Sequence, residues 1–395
     1  MNTEFAVQLV RWRRELHARP EAGHQEVETA RYLAGELESL DVPFRQGVAG
    51  TGLLACLQSG QEGPCVLLRA DMDGLPITEQ TGAEYASRNP GWMHACGHDA
   101  HMACLLGAIR LLKENTVGLP AGRVLALFQP AEEVTPGGAE KVAASGLLQD
   151  EQVAAVLGQH VDHEREVGRI GVRPGAMMAQ ADEFLVRFSG PGGHASDSGS
   201  RPDPLAAAVR MHERIPEELQ HLPDISADPV LLHVGSLHAG TAANVIPVEA
   251  VLTGTARSYE TSASGALRAL LEDAAGYVAR REGVSSQVTW RSGGPPVRND
   301  PALVEVCRSA WSRQDAIHGV EEIAAPSLAA EDFGHLLARV PGVYWRLGIR
   351  GPDRGGHPWH TPHFDLDERA LPAGAAALAA AASAVLEHLV GGQGG

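Results

Sequence analysis

The chain has 395 residues, a net charge of −17 and 44% apolar residues. The acidic balance argues against nucleic acid as a partner, because phosphate binding requires a basic face. No apolar run is expected to span a membrane, no leader peptide is recognised at the N-terminus, and the length predicts two domains.

The five cysteines are widely spaced and do not resemble a disulfide framework. A reducing cytoplasmic location is therefore expected. Four of the cysteines lie in apolar surroundings and are expected to be small core residues: Cys56, Cys65, Cys104 and Cys307. The fifth, Cys96, lies among three histidines.

The first predicted elements are helices at 3–18 and 26–40 and strands at 52–58 and 65–69. The second strand is almost continuously apolar and runs into Asp71 and Asp73. Open α/β sheets place ligand sites at the carboxyl ends of such buried strands. The Asp-x-Asp spacing points both side chains to the same side of an extended backbone. A loop with turn-forming acids is the alternative interpretation.

Residues 93–101 read Met-His-Ala-Cys-Gly-His-Asp-Ala-His and precede a predicted helix at 102–113. Cys96 and His98 are two residues apart, so both side chains can point into one site on an extended or turning backbone. Thiolate and imidazole together suit zinc and neighbouring transition metals. The alternative is a helix N-terminus with Asp99 near its cap and incidental histidines.

Two further apolar strands are followed by residues that can bind a metal. The predicted strand 123–129 is followed by Glu132 and Glu133, of which one can bind metal while the other acts as general base. A charged helix start is the alternative. The predicted strand 153–159 ends at His160, which is the third occurrence of the same pattern.

Beyond residue 178 the pattern changes to a period of two, as in half-exposed strands. Strands are predicted at 182–189, 230–236, 248–257 and 286–290, with helices at 204–215 and 262–282. These elements indicate an α+β domain inserted into an α/β domain. The predicted boundaries are 1–178 and 294–395 for the catalytic domain and 179–293 for the insertion. The chain then ends in a predicted helix at 369–389 and a flexible glycine-rich tail at 391–395.

Seven motifs in order resemble those of the M20 metallopeptidase family. They are Arg69-Ala-Asp-Met-Asp, the 93–101 segment, Gln129-Pro-Ala-Glu-Glu, His160, Gly193-His-Ala-Ser, Asn244-Val-Ile-Pro and His360-Thr-Pro-x-Phe-Asp. The similarity is to the amidohydrolase branch with hippurate hydrolases, N-acyl-amino-acid amidohydrolases and plant auxin-conjugate hydrolases. One departure is near the N-terminus, where Leu16-His17-Ala18-Arg19-Pro20-Glu21 replaces a more histidine-rich motif.

This resemblance implies an α/β fold, with a mixed-sheet, metallo-exopeptidase-like catalytic domain and an inserted α+β lid and dimerisation domain. It implies two divalent metal ions per chain, with zinc expected and manganese, cobalt or nickel as alternatives. The implied metal ligands are Cys96, His98, Glu133, His160 and His360. Glu132 is the implied general base, and Asp73 orients the site.

In the inserted domain, the resemblance implies that His194 contacts the scissile carbonyl, often across a dimer. Asn244 and Arg257 match positions that hold the substrate carboxylate. His101 and His363 are expected to be structural. The predicted activity is hydrolysis of N-acyl amino acids by a homodimer or higher oligomer. The alternatives are a dipeptidase or carboxypeptidase, an N-acetyl-diaminopimelate-type deacetylase, and a non-catalytic binding protein.

Overall fold

The structure is a computed structural model that describes residues 3–114, 119–221 and 228–392. The helices of these residues, in chain order, are α1 (Thr3–His17), α2 (Val27–Ser39), α3 (His98–Glu114), α4 (Gly138–Ala144), α5 (Leu147–Asp150), α6 (Pro204–His221), α7 (Thr261–Glu282), α8 (Pro301–Trp311), α9 (Gly334–Leu337) and α10 (Leu371–Gly392).

The strands of the described residues are, again in chain order, β1 (Phe44–Val48), β2 (Gly52–Gln58), β3 (Cys65–Asp71), β4 (Arg123–Gln129), β5 (Val153–Glu166), β6 (Ile170–Val172), β7 (Gly175–Met178), β8 (Gln180–Ser189), β9 (Gly193–His194), β10 (Leu231–Ala239), β11 (Val245–Ile246), β12 (Glu249–Ser258), β13 (Ser285–Arg291), β14 (Val297–Asn299), β15 (Val320–Glu322) and β16 (Gly342–Arg350).

The chain forms two compact units. Unit 1 comprises Met1–Met177, Arg298–Ala325 and Asp332–Gly395, and unit 2 comprises Met178–Val297 and Pro326–Glu331. Unit 2 is thus inserted into unit 1, and the short later segment Pro326–Glu331 also belongs to it. The lid and dimerisation roles of this insertion stay predictions.

Unit 1 is built on one sheet with the strand order β1-β2-β4-β3-β5-β16-β6-β15. Strands β4, β3, β5 and β16 are parallel to one another. On one side of them, β2 is antiparallel to β4 and β1 is antiparallel to β2. All seven residues of β3 are buried, as expected of an apolar strand in the middle of a parallel sheet. The predicted α/β class with a mixed sheet is therefore confirmed.

The core of unit 1 lies between this sheet and the helices α1, α3, α8 and α10. The helices approach closely at Gly107 of α3, where an added Cβ would lie 2.6 Å from Leu9 and 2.8 Å from Ala375. Small residues at this crossing let the three helices pack tightly. The many alanines of α10 serve the same close packing.

The last helix departs from the expectation that no apolar run approaches a membrane span. Within the described residues, the segment Glu368–Gly392 is long and apolar enough to cross a membrane by length and composition. However, 56% of its most apolar stretch is buried, and its side chains belong to the core of unit 1. Core helices of soluble proteins pass the same test, so the finding is weak evidence for a membrane span.

Several predicted boundaries are wrong, among them the end of the helix predicted at 204–215, which continues to His221. The helix predicted from residue 102 already begins at His98, and the strand predicted to end at 159 continues to Glu166. The predicted tail begins too early, because Gly391 and Gly392 still belong to α10. The remaining tail residues, 393–395, lie outside the described part of the chain.

Unit 2 contains an antiparallel sheet with the order β10-β12-β8-β13, on which α6 and α7 pack. Alternating side chains such as Phe184, Val186 and Phe188 face these helices and form the core of the unit. This is the one-sided strand pattern that a period of two predicts. A separate two-stranded sheet is formed by β9 and β11.

Candidate metal centre

The polar residues of the site in unit 1 lie where β3 and β4 end and at the same level on β5, which continues to Glu166. Strand β3 ends at Asp71 and leads to Asp73, the neighbouring β4 leads to Glu132 and Glu133, and β5 carries His160. Because the three strands pair in parallel and in this register, these side chains come together although they are far apart in sequence.

A sharp turn before α3 presents Cys96 and His98 to the same place. Gly97 between them has a φ of +83°, a conformation that glycine adopts without strain. An added Cβ on Gly97 would lie 2.4 Å from a methyl group of Val161. The turn and the close packing together explain why the residue between the two predicted ligands is glycine.

The five predicted ligands form overlapping groups. In each group the candidate ligand atoms all lie within 4.8 Å of one another. The groups are Cys96, His98 and His160; Cys96, Glu133 and His360; and His98, Glu132 and Glu133. Cys96 therefore belongs to one group with two histidines and to a second group with a carboxylate and a histidine. A donor set of one thiol, three imidazoles and two carboxylates suits zinc and related divalent metals.

His98 provides a direct test of whether a cation fits. Its Nδ1 lies 2.9 Å from the backbone oxygen of Asp73 and 3.3 Å from the Asp73 carboxylate, so Nδ1 carries the donated hydrogen. Its Nε2 is buried and has no hydrogen-bond partner among the described residues. It lies 4.0 Å from carboxylate oxygens of both Glu132 and Glu133. A buried ring nitrogen facing carboxylates is a position that a metal ion would satisfy.

His160 also has one ring nitrogen bonded to the backbone and the other directed towards the site. Its Nδ1 lies 2.7 Å from the backbone oxygen of Val161, to which it donates, while its Nε2 lies 3.3 Å from the Sγ of Cys96. Burial, reinforced by the neighbouring His101, holds the pKa of His160 well below its usual value. The ring is therefore neutral, which is the form that binds a metal.

The buried negative charge of the site also favours binding of a cation. Burial, together with Glu133 and Glu132, raises the pKa of the Cys96 thiol well above its usual range. Although burial opposes it, the charge of Asp71 and the bond to Asp73 raise the pKa of His98 to about 10. Negative charge from nearby carboxylates contributes to both shifts, and bound divalent cations would neutralise this charge.

His360 reaches the site from the opposite end of the chain. Its Nε2 lies 3.1 Å from Oε1 of Glu133, and its backbone N–H bonds the oxygen of Ala95 at 2.9 Å. The side chain is 53% exposed, in contrast to the buried Cys96 and His98. The bond to Ala95 joins the His360 segment to the turn that carries Cys96.

Asp73 orients three residues of the site at once. Its carboxylate accepts hydrogen bonds from the backbone N–H groups of Glu132 and Glu133, both at 3.0 Å, and lies beside His98. It is 1% exposed. Asp73 thus fixes the predicted general base, one predicted ligand carboxylate and one predicted ligand imidazole relative to one another.

His101 has a supporting geometry. Its Nδ1 lies 2.5 Å from Asp71, and its Nε2 accepts a bond from the backbone N–H of Val161 at 2.9 Å. Although Asp71, His98 and His101 also form a close group, both ring nitrogens of His101 are used by protein partners. Exposed His363, whose Nδ1 donates to Gln80, lies in none of the close ligand groups of the described residues.

The sequence interpretation missed Glu26. This residue is buried, and its carboxylate accepts bonds from the backbone N–H groups of Ala131 at 2.8 Å and His24 at 3.0 Å. Ala131 has a φ of +57° and directly precedes Glu132. Burial raises the pKa of Glu26. A lone glutamate before a helix gives no sequence signal for this role, because acids are common there.

Three predicted site residues belong to unit 2. His194 on β9 pairs with Val245 on β11, and the backbone oxygen of Asn244 accepts a bond from Ala195 at 3.0 Å. His194 and Asn244 are therefore brought together. The Nδ1 of His194 accepts a bond from the backbone N–H of Ser196 at 3.2 Å, so its hydrogen is on Nε2.

Arg257 is not brought to the same place. Strand β12 begins at Glu249, five residues after Asn244. Arg257 lies near the other end of this strand, opposite Ala181. Eight residues of antiparallel strand separate Glu249 from Arg257, which is about 27 Å. Burial lowers the pKa of Arg257, and within the described residues its guanidinium has no carboxylate within 4.0 Å.

Comparison with known proteins decides the family. A family model described as peptidase family M20/M25/M40 matches residues 67–384. The chain belongs to this family. Its fold and the order of its ligand-bearing segments agree with the resemblance drawn from the motifs.

Relatives and solved structures point the same way. The chain is 36% identical over 393 residues to N-acetylcysteine deacetylase of Bacillus subtilis, covering 98% of both chains. It is 35% identical to IAA-amino acid hydrolase ILR1-like 4 of Arabidopsis thaliana, covering 98% of this chain and 87% of the relative. The crystal structure of the Bacillus subtilis YXEP protein, a dinuclear metal binding peptidase from the M20 family, matches with a TM-score of 0.85 at 33% identity, over 98% of this chain and 99% of that one.

This M20 chain is a metal-dependent amidohydrolase. The overlapping ligand groups fit the dinuclear site named for the YXEP protein. The non-catalytic alternative has no support in the site, because every predicted ligand and the predicted base are present.

Replacing Asp73 with asparagine should lower metal affinity about 10- to 100-fold, because an amide cannot accept from both backbone N–H groups. The measurement is a metal titration of the metal-free protein. Asp300→Asn is the matched control, since the Asp300 carboxylate also accepts from a backbone N–H, that of Leu303, away from the site. Unchanged metal affinity in Asp73→Asn would contradict the orienting role.

Proposed function

We propose that the chain hydrolyses N-acyl amino acids, of the hippurate or N-acetyl type, to a carboxylic acid and a free amino acid. The observation that carries the proposal is the cluster of Cys96, His98, Glu133, His160 and His360 with Glu132 beside it. The proposed ligands are these five residues, and the proposed general base is Glu132.

Two bound divalent ions would lower the pKa of a water molecule and polarise an amide carbonyl. The chain itself supplies the proton transfer. The Glu132 side chain is 12% exposed, and its backbone is held by Asp73. It is thus fixed, yet open enough to take a proton from water and pass it to the leaving amine.

Residues of unit 2 are proposed to bind the substrate. The residue His194 is exposed, and among the described residues its Nε2–H bonds no other group. It can therefore donate to a carbonyl oxygen as negative charge develops there. Asn244 lies beside it. Arg257 is proposed to bind the substrate carboxylate, since buried or half-buried guanidinium groups usually have an anionic partner.

Zinc is the proposed metal because a thiol belongs to the ligand set. Manganese, cobalt and nickel are the alternatives, since availability in the cell also decides metal occupancy. Elemental analysis of protein purified without added metal should find about two ions per chain. A cytoplasmic location is proposed from the cysteines, all of which are free in the structure.

The proposed function is tested with a panel of N-acetyl, N-benzoyl and indoleacetyl amino acids, with dipeptides and N-acetyl-diaminopimelate included as alternatives. Both products are identified by mass spectrometry, and a chelated sample is the blank. Turnover of the acyl amino acids above the other two classes supports the proposal. A preference for dipeptides or for N-acetyl-diaminopimelate would contradict the proposed substrate class but not the proposed reaction, which is hydrolysis of an amide bond.

Replacing Arg257 with glutamine should raise KM about 10- to 100-fold with little change in kcat, because a charge-assisted bond to the substrate carboxylate is lost. The same variant should hydrolyse the corresponding N-acyl amino acid amide as well as the wild type does. Arg268→Gln is the control, since Arg268 is exposed on α7 of the same unit. An equal loss on acid and amide substrates would contradict the role of Arg257.

A further inference from the structure

We propose that Arg13 is a positioning residue that ties together the two segments carrying His98 and His360. This inference rests on the proposed function, because it takes those two histidines as metal ligands. Arg13 lies on α1, near the N-terminal motif that departs from the family pattern, and it is fully buried.

The first bond of Arg13 reaches the His98 segment. Its Nε donates to Oδ2 of Asp99 at 2.7 Å, and both side chains are fully buried. Asp99 directly follows His98 in the first turn of α3. The Nδ1 of His17 lies 2.8 Å from the same oxygen, so α1 contacts the start of α3 through two side chains.

The second bond reaches the His360 segment. A terminal nitrogen of Arg13 donates to Oδ1 of Asp365 at 2.7 Å. The other carboxylate oxygen of Asp365 accepts from the hydroxyl of Tyr85 at 2.9 Å. Asp365 follows His360 by five residues, and a hydrogen bond from the backbone N–H of Phe364 to the oxygen of Thr361 folds the intervening chain into a turn.

One guanidinium therefore joins two segments that are more than 250 residues apart in sequence. The backbone N–H of His360 also bonds the oxygen of Ala95, which is a second link between the two segments. Because the planar guanidinium offers donors in fixed directions, it sets the distance between the two carboxylates. A lysine in its place has one compact charge and cannot bond both carboxylates in the same geometry.

Arg14 provides a matched control on the same helix. It binds Glu368 through two nitrogens, at 2.8 Å and 2.7 Å, and its side chain is 41% exposed. Within the described part of the chain, Arg14 pairs with Glu368 and not with Asp99 or Asp365. Glu368 also lies 3.5 Å from Arg13, and Arg14 stacks on Tyr85 at 4.7 Å. Loss of Arg14 therefore removes an ion pair of α1 while the two short bonds from Arg13 to Asp99 and Asp365 stay in place.

The experiment compares Arg13→Lys, Asp365→Asn and Arg14→Gln by calorimetric titration of the metal-free proteins with zinc and with manganese. Arg13→Lys and Asp365→Asn should each lose about 10- to 100-fold in affinity for at least one ion, as expected for partners that orient ligands. Arg14→Gln should bind like the wild type. Circular dichroism checks that each variant is folded, and Asp365→Asn alone carries the test if Arg13→Lys does not fold.

Two outcomes would overturn the proposal, and they are distinguishable from a failure of the proposed function. Wild-type metal affinity in folded Arg13→Lys and Asp365→Asn would overturn the positioning role alone. A wild-type chain that takes up no metal would overturn the ligand assignment and the positioning role together. An equal loss in Arg14→Gln would assign the effect to the packing of α1 and would also overturn the proposal.

Discussion

A chain with glutamine in place of Glu132 should lose roughly 10⁴-fold in kcat and still bind its metal ions. Glutamine has the size of glutamate but cannot take a proton from water. Its backbone N–H can still bond Asp73, so the fold of the loop should not change. The measurement is kcat on an N-acyl amino acid together with metal content by mass spectrometry.

The control for this prediction is Glu140→Gln, which removes an exposed carboxylate from the first turn of α4. Its kcat should equal that of the wild type. Glu133→Gln is an informative contrast, because Glu133 is a proposed ligand and its loss should lower metal affinity as well. Retained activity in Glu132→Gln would remove Glu132 from the role of general base.

A local sequence pattern was enough to predict that several of the candidate site residues lie close together. Apolar strands followed by acids marked the ends of β3 and β4, and parallel pairing of these strands places Asp73, Glu132 and Glu133 together. His160 was predicted at the end of its strand, but it lies within β5, which continues to Glu166. The second half of β5 pairs with β16, which lies about 180 residues further along the chain, so the local sequence gives no sign of it.

Residues that support the site from a distance were not predictable. Arg13 lies on the apolar face of its helix, four residues after Leu9 and three before Leu16, but the pattern does not say which groups compensate a buried charge there. Its partners, Asp99 and Asp365, come from distant parts of the chain. Glu26 is a similar case, since its bond to Ala131 joins residues 105 apart. Burial of single charged residues depends on long-range contacts, which periodicity does not contain.

Replacing His194 with alanine should lower kcat about 10²- to 10³-fold, because a donor to the developing oxyanion is lost. KM and metal content should change little. The control is His212→Ala, which removes an exposed histidine from α6 of the same unit. A variant of His194 with wild-type kcat would contradict its proposed contact with the scissile carbonyl.

The geometry of unit 2 adds a constraint on which chain supplies His194. An N-acyl amino acid has the length of about two residues, which is roughly 7 Å when extended. Along β12, about 27 Å separate the Glu249 end, near which His194 and Asn244 lie, from Arg257. One unit 2 cannot place both ends on one small substrate. If His194 and Arg257 both bind the substrate, they must come from different chains of a dimer.

Mixing two inactive variants tests this conclusion. In a dimer of His194→Ala with Glu132→Gln, one active site has an intact Glu132 from its own chain and an intact His194 from the other. Random exchange of subunits should therefore restore about a quarter of wild-type activity, because about half of the dimers are mixed and one of their two sites is complete. No recovery, or a mass of one chain by light scattering, would show that His194 acts within its own chain or not at all.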